Sequence, residues 1–230
     1  MRALNLLPTL SVVLIAACAV VSGPTAQLER MTQAQTAGRD AANAAEQPDG
    51  DCAAKPQDAA CLRIQAIRGR ACLALARAEA APGAACPPPT ATARSHLDCA
   101  VDAYAKAHGA APAGSADALN LAENTARAQY CNSGFKPPAE GLSLLRDARS
   151  GLASLPAAPE RDLLGASAAL AMAQRGGVTP DERCAAARDA SRLAARALGA
   201  SPPADIADAA TATRNAARQA AGSLPNCTGV

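Results

Sequence analysis

Cysteine is the residue type in this chain best placed to do chemistry. Nine occur in 230 residues. With Cys18 set aside, the rest are Cys52, Cys61, Cys72, Cys86, Cys99, Cys131, Cys184 and Cys227. Grouped thiols make zinc sites, redox centres or disulfides. Structural zinc needs closely spaced ligand pairs. No C-x₂-C pair occurs, and His96 with Cys99 finds no second pair of that kind. No motif marks a reactive thiol. An even set of eight in an exported chain points to four disulfides. Catalytic signatures are also missing: there is no G-x-S-x-G, H-E-x-x-H or phosphate-binding loop. Acids and bases are scattered at surface spacing, as in "ERDLL" and "PDERC". The expectation is a protein that is not an enzyme, with no cofactor, no metal and no small-molecule substrate.

Composition limits what can position the cysteines. The formal net charge is only +2, and aromatic residues make up 1% of the chain. A basic footprint and stacking platforms are therefore both missing, which argues against nucleic acid as a partner. Alanine supplies 65 residues. It has the highest helix propensity and loses no rotamer freedom. Valine and isoleucine are scarce after residue 30, so strands have little to be built from. The chain is expected to be all-α, with a thin core that crosslinks would support.

The N-terminus carries Arg2 and then the apolar stretch "LNLLPTLSVVLIAA". Residues 1–17 fit a signal peptide. "IAAC", Ile15 to Cys18, resembles the lipobox of bacterial lipoproteins. That resemblance implies lipidation of Cys18 and a membrane anchor, because acyl chains add about 0.8 kcal/mol per buried CH₂. Cleavage after Cys18, for example after Ala26, would instead leave a secreted or periplasmic protein. Residues 18–50 are polar and alanine-rich and are expected to form a flexible tether. Residues 51–230 form the expected folded domain.

Seven helices are expected there, at about 61–80, 92–109, 115–131, 139–154, 160–175, 181–199 and 203–222. Prolines fall between them, where a missing N–H does least harm. Three of these helices share a spacing. Ala100, Tyr104, Ala107 and Pro112 stand four, three and five apart, as do Leu144, Ala148, Gly151 and Pro156, and Ala190, Ala194, Ala197 and Pro202. Positions four and three apart share one helix face. A recurrence at this period signals stacked helical hairpins.

The pattern resembles the second helix of tetratricopeptide (TPR) repeats. "ALNLA", 118–122, and "DLLGASAAL", 162–170, are similar to the first helix of that repeat. The resemblance covers roughly residues 61–222. It implies a solenoid of stacked antiparallel hairpins that binds a protein or peptide partner on a face lined by first helices. Asn120 would stand where the family often places a peptide-binding asparagine, with Asn124 and Arg127 on or near the same face. On the repeat geometry, Cys99–Cys131 and Cys184–Cys227 would tie one repeat to the next. Cys52–Cys61 and Cys72–Cys86 would then close local loops.

The expected function is a non-catalytic interaction scaffold on the periplasmic face of a bacterial membrane. A different class is implied by a looser likeness. Cys52, Cys61, Cys99 and "CNSGF", 131–135, resemble the plant invertase and pectin methylesterase inhibitors, an exported helical bundle. The alternative is thus a soluble periplasmic or secreted inhibitor-like binding protein.

Overall fold

The computed structural model describes residues 23–36, 50–81 and 84–227. Eight α-helices form among them: α1 (Pro24–Thr36), α2 (Ala59–Ala78), α3 (Ala91–Lys106), α4 (Ala116–Ser133), α5 (Pro138–Ala153), α6 (Pro159–Gln174), α7 (Pro180–Gly199) and α8 (Ala204–Gly222). A 3-10 turn (Gly50–Ala53) precedes α2, and no strand forms among the described residues. The architecture is the disulfide-stapled stack of antiparallel hairpins expected from the sequence, with α2–α8 at the seven expected places. The signal segment 1–17 and Cys18 lie outside the described residues.

Local chemistry sets the helix starts. The side chains of Asp58, Thr90 and Ser115 accept from Ala60 N, Ala93 N and Ala118 N, satisfying first-turn donors. Thr179 and Glu182 form a reciprocal capping box at α7. Proline opens α5, α6 and α7, where its fixed φ suits a first turn.

Each helix packs on its neighbours in the chain, and α6, α7 and α8 all touch one another. Ala93, Leu97, Ala100, Tyr104 and Ala107 form one buried stripe on α3, and Ala187, Ala190, Ala194 and Ala197 form one on α7. On α5 the stripe is Leu142, Leu145, Ala148 and Leu152, so Leu144 and Gly151 of the repeated spacing are only half-buried. Leucine has replaced alanine as the packing residue there, and the face has rotated to bury it.

The tether expected over 18–50 needs correction. Within it the chain folds into α1, whose Met31 is buried with Ile64, Ile67 and Ala71 of α2, and Leu28 packs against the same cluster. Three residues apart, Leu28 and Met31 share one helix face. Residues 18–22 and 37–49 of that span lie outside the described residues.

Four disulfides crosslink the stack: Cys52–Cys61, Cys72–Cys99, Cys86–Cys131 and Cys184–Cys227. Two differ from expectation. Cys72 is not paired with Cys86, nor Cys99 with Cys131; the partners are exchanged. The α2–α3 connection is centred near residue 85, so Cys72 and Cys99, about equally far from it, face each other across the hairpin at 5.9 Å between Cα atoms. The connection itself carries Cys86 over the end of α4, 5.3 Å from Cys131. Four disulfides belong to an oxidising, exported compartment. None of the described helices is long and apolar enough to cross a membrane.

Two close approaches depend on glycine. A Cβ at Gly69 would lie 2.6 Å from the ring of Tyr104, and one at Gly141 would meet both the Arg175 guanidinium and, at 2.5 Å, the carbonyl of Ser133. Through the Gly141 gap Arg175 donates to the carbonyls of Ser133 and Lys136, capping α4 (2.9 and 3.2 Å). The Tyr104 hydroxyl is buried and finds no partner among the described residues, and burial pushes its ionisation well above the usual phenol range. Gly69→Ala should therefore lower stability in urea melts, because overpacking costs about 1–3 kcal/mol and outweighs a helix-propensity gain of about 1. Tyr104→Phe should raise stability, since an unmade buried hydrogen bond costs about 1–3 kcal/mol.

Asp98 of α3 accepts from Asn132 (2.9 Å) and from Lys136 (2.7 Å), joining α3 to the end of α4. Burial pushes its carboxyl up, but the bonds from Lys136 and Asn132 outweigh this and hold it below the usual range. A carboxyl depressed in the folded state stabilises above the unfolded value, about 3.9, and the effect fades as pH falls through the lower folded value. Asp98→Asn should thus be less stable than the parent at pH 7, with the difference shrinking in paired melts as pH falls below the unfolded value, about 3.9.

Candidate functional site

A cleft of about 450 Å³ opens between α1, α2 and α4. Helix spacing builds its walls. Arg63, Ile67 and Arg70 stand four and three apart on α2, and Asp117, Asn120, Leu121 and Asn124 occupy one face of α4. Ile67 and Leu121 form an apolar floor. Leu28 and Thr32 of α1 supply one rim, and the Ala110–Pro112 turn closes one end.

Four polar side chains of this cleft are uncommitted. Among the described residues, the side chains of Asn120, Asn124, Arg63 and Arg70 make no hydrogen bond or ion pair with protein, whereas most other arginines of α4–α7 are engaged. An asparagine amide offers two donors and an acceptor carbonyl. Two asparagines one turn apart can therefore bond both the N–H and the C=O of an extended backbone. Arg63 and Arg70 add charged donors suited to a carboxylate.

The structure brings Asn120 and Asn124 together in the cleft. Arg127 does not line it. Its guanidinium lies 3.5 Å from Glu123, which also accepts from Arg161 of α6 at 3.1 Å. An i, i+4 pair on the same helix and a second arginine on the same carboxylate hold it on the side facing α6. Arg63, Arg70 and the α1 rim were not singled out from the sequence. The spacing of Arg63, Ile67 and Arg70 was the available signal for the α2 wall. Residues Leu28 and Thr32 had none, because α1 was expected to be unstructured.

Among the described residues no group of three or more His, Cys, Asp or Glu could hold a metal ion. His96 lies 3.4 Å from Glu79, which also accepts from Thr90. These residues join the end of α2 to the start of α3. The fold and cleft define an exported, disulfide-crosslinked all-α protein with an open polar cleft. In comparisons with known proteins, no family model, no curated protein and no solved structure matches the chain.

The cleft depends on α1 staying docked. Met31→Ala removes its main anchor, and large-to-small substitutions of this kind cost about 2–5 kcal/mol. Amide exchange across residues 25–33 should then accelerate by at least about tenfold, with α3 and α4 unchanged. Equal protection in both proteins would mean that Met31 does not hold α1.

Proposed function

We propose that the chain is a non-catalytic scaffold of the bacterial cell envelope that holds a protein partner by an extended segment seated between α2 and α4. The observation that carries this reading is the pair Asn120 and Asn124, whose amides are unspent and face two unpaired arginines across an apolar floor. Catalysis needs a nucleophile or an acid–base pair in mutual reach. This cleft offers amides, guanidinium groups and the single carboxylate of Asp117, a set that suits recognition. The likeness of Ala118–Ala122 to the first helix of a TPR repeat points the same way, as does the placement of these asparagines on a first helix. The lipobox-like "IAAC" supports anchoring through acyl chains on Cys18, with the domain on the periplasmic side.

Two measurements test it. The mature protein should have an acylated Cys18 and fractionate with membranes, and Cys18→Ala should release it. An unmodified soluble parent would favour the secreted, inhibitor-like alternative. A photo-crosslinker at position 111, in the turn that closes one end of the cleft, should capture the same partner reproducibly from the intact envelope. Asn120→Ala with Asn124→Ala should cut that yield by about tenfold or more, since each lost hydrogen bond is worth about 0.5–1.5 kcal/mol. Arg127→Ala should leave the yield unchanged. Absence of any protein crosslinked at position 111 would overturn the scaffold reading.

A further inference from the structure

A second cleft, of about 570 Å³, lies over the first half of α6 between the last turns of α5 and α7. Five arginines line it: Arg146 and Arg149 from α5, Arg161 from α6, and Arg192 and Arg196 from α7. They share four carboxylates. Arg146 pairs with Glu182, Arg161 with Glu123 and Arg196 with Asp162, while Arg149 and Arg192 both take Asp189. In a chain with a formal charge of only +2, the cleft holds an unbalanced guanidinium.

The pairs fall into two kinds. Arg196 holds the buried Asp162 through both carboxylate oxygens, which locks α7 to α6. Arg146 and Arg192 stand at the outer rim, with side chains 51% and 63% exposed, and each gives a single Nη2 to its carboxylate. Each guanidinium has five N–H donors. The rim arginines therefore keep most of theirs for a ligand, in a fork geometry that suits carboxylates. Between the charges lie Leu152, Leu155 and Leu193.

We infer that this cleft is a second binding site, which takes an acidic, extended polypeptide segment with carboxylates alternating with apolar side chains. The presence of leucines beside the arginines favours a chain that brings both charge and apolar side chains over a compact anion. The guanidinium groups reach the cleft from three helices, α5, α6 and α7, a spread that one phosphate group does not cover. The four carboxylates already seated on these arginines are the same groups that such a segment would bring. The site rests on the scaffold reading in that its ligand is a protein segment, but it uses none of the residues of the α2–α4 cleft.

Fluorescence anisotropy on the mature, disulfide-bonded chain tests this with a labelled peptide of alternating aspartate and leucine. Saturable binding is expected, weakening as salt rises from about 50 to 150 mM. The asparagine–leucine counterpart should bind at least about tenfold more weakly, and inorganic pyrophosphate should not displace the acidic peptide at equal concentration. Arg192→Gln with Arg146→Gln should weaken binding by about tenfold or more while costing little stability, since exposed pairs contribute little individually, and Arg192→Gln alone should weaken it by several-fold. Equal binding of the asparagine peptide, equal competition by pyrophosphate, full retention by both variants or no saturable binding would each overturn the assignment. Asn120→Ala with Asn124→Ala should leave this binding intact. Loss of peptide binding with crosslinking at position 111 preserved sinks only this site. Peptide binding without any crosslinked partner at position 111 sinks only the α2–α4 assignment.

Discussion

Close contact between alanines is what the rest of this molecule depends on. Where α6, α7 and α8 meet, the buried cluster is Ala169, Ala190 and Ala217. Methyl groups of this size let helices approach closely. They also remove little apolar area from water, and burial stabilises by only about 25 cal/mol per Å². Alanine therefore specifies where helices can lie next to one another more than it holds them there. The described core is accordingly divided into several clusters, in which a few large side chains such as Ile64, Leu97 and Leu145 are fully covered.

Stabilisation from elsewhere follows a pattern. Disulfides join neighbours at both ends of the stack: Cys72–Cys99 clamps the first hairpin, and Cys184–Cys227 brings the start of α7 to the chain beyond α8. Three ion pairs reach past the neighbour to the next helix but one. Glu123 to Arg161 links α4 with α6, and Arg146 to Glu182 and Arg149 to Asp189 link α5 with α7. Exposed pairs contribute little individually, about 0–1 kcal/mol. Their larger effect is on register, since each fixes how far one helix has slid along another. Arg175 does the same for the turn after α6 by reaching the last carbonyls of α4.

Helix positions were largely legible in the sequence, and the reason is punctuation. Proline and cap residues stand at most boundaries, so α2–α8 fall where the pattern placed them. Pairing of the inner four cysteines was not legible. The same four thiols satisfy either connectivity, and the choice rests on how the twelve residues between α2 and α3 fold back, which alanine, proline and glycine do not encode in a pattern. Helix α1 was missed because Leu28 and Met31 are too few to make a periodicity; only the apolar surface of α2 makes them a face. In the candidate site, the α4 wall was readable from Asn120 and Asn124. The α2 wall needed the tertiary fold, because two arginines seven apart on a helix look like any solvated face. Arg127 was misplaced for the converse reason: helix spacing puts it near the asparagines, and the carboxylate of Glu123 draws it away.

The docking of α1 also sets a distance. If the whole of 18–50 were a leash, the domain could stand off by as much as about 110 Å at full extension. With α1 folded onto α2 from Pro24, an anchor at Cys18 has only the stretch to Gly23 to spare, a reach of about 18 Å. A proposed lipid anchor would therefore work as a short stalk. The α2–α4 cleft, whose rim is α1 itself, would be held against the bilayer surface, and its partners would be chosen by height above the membrane as much as by sequence.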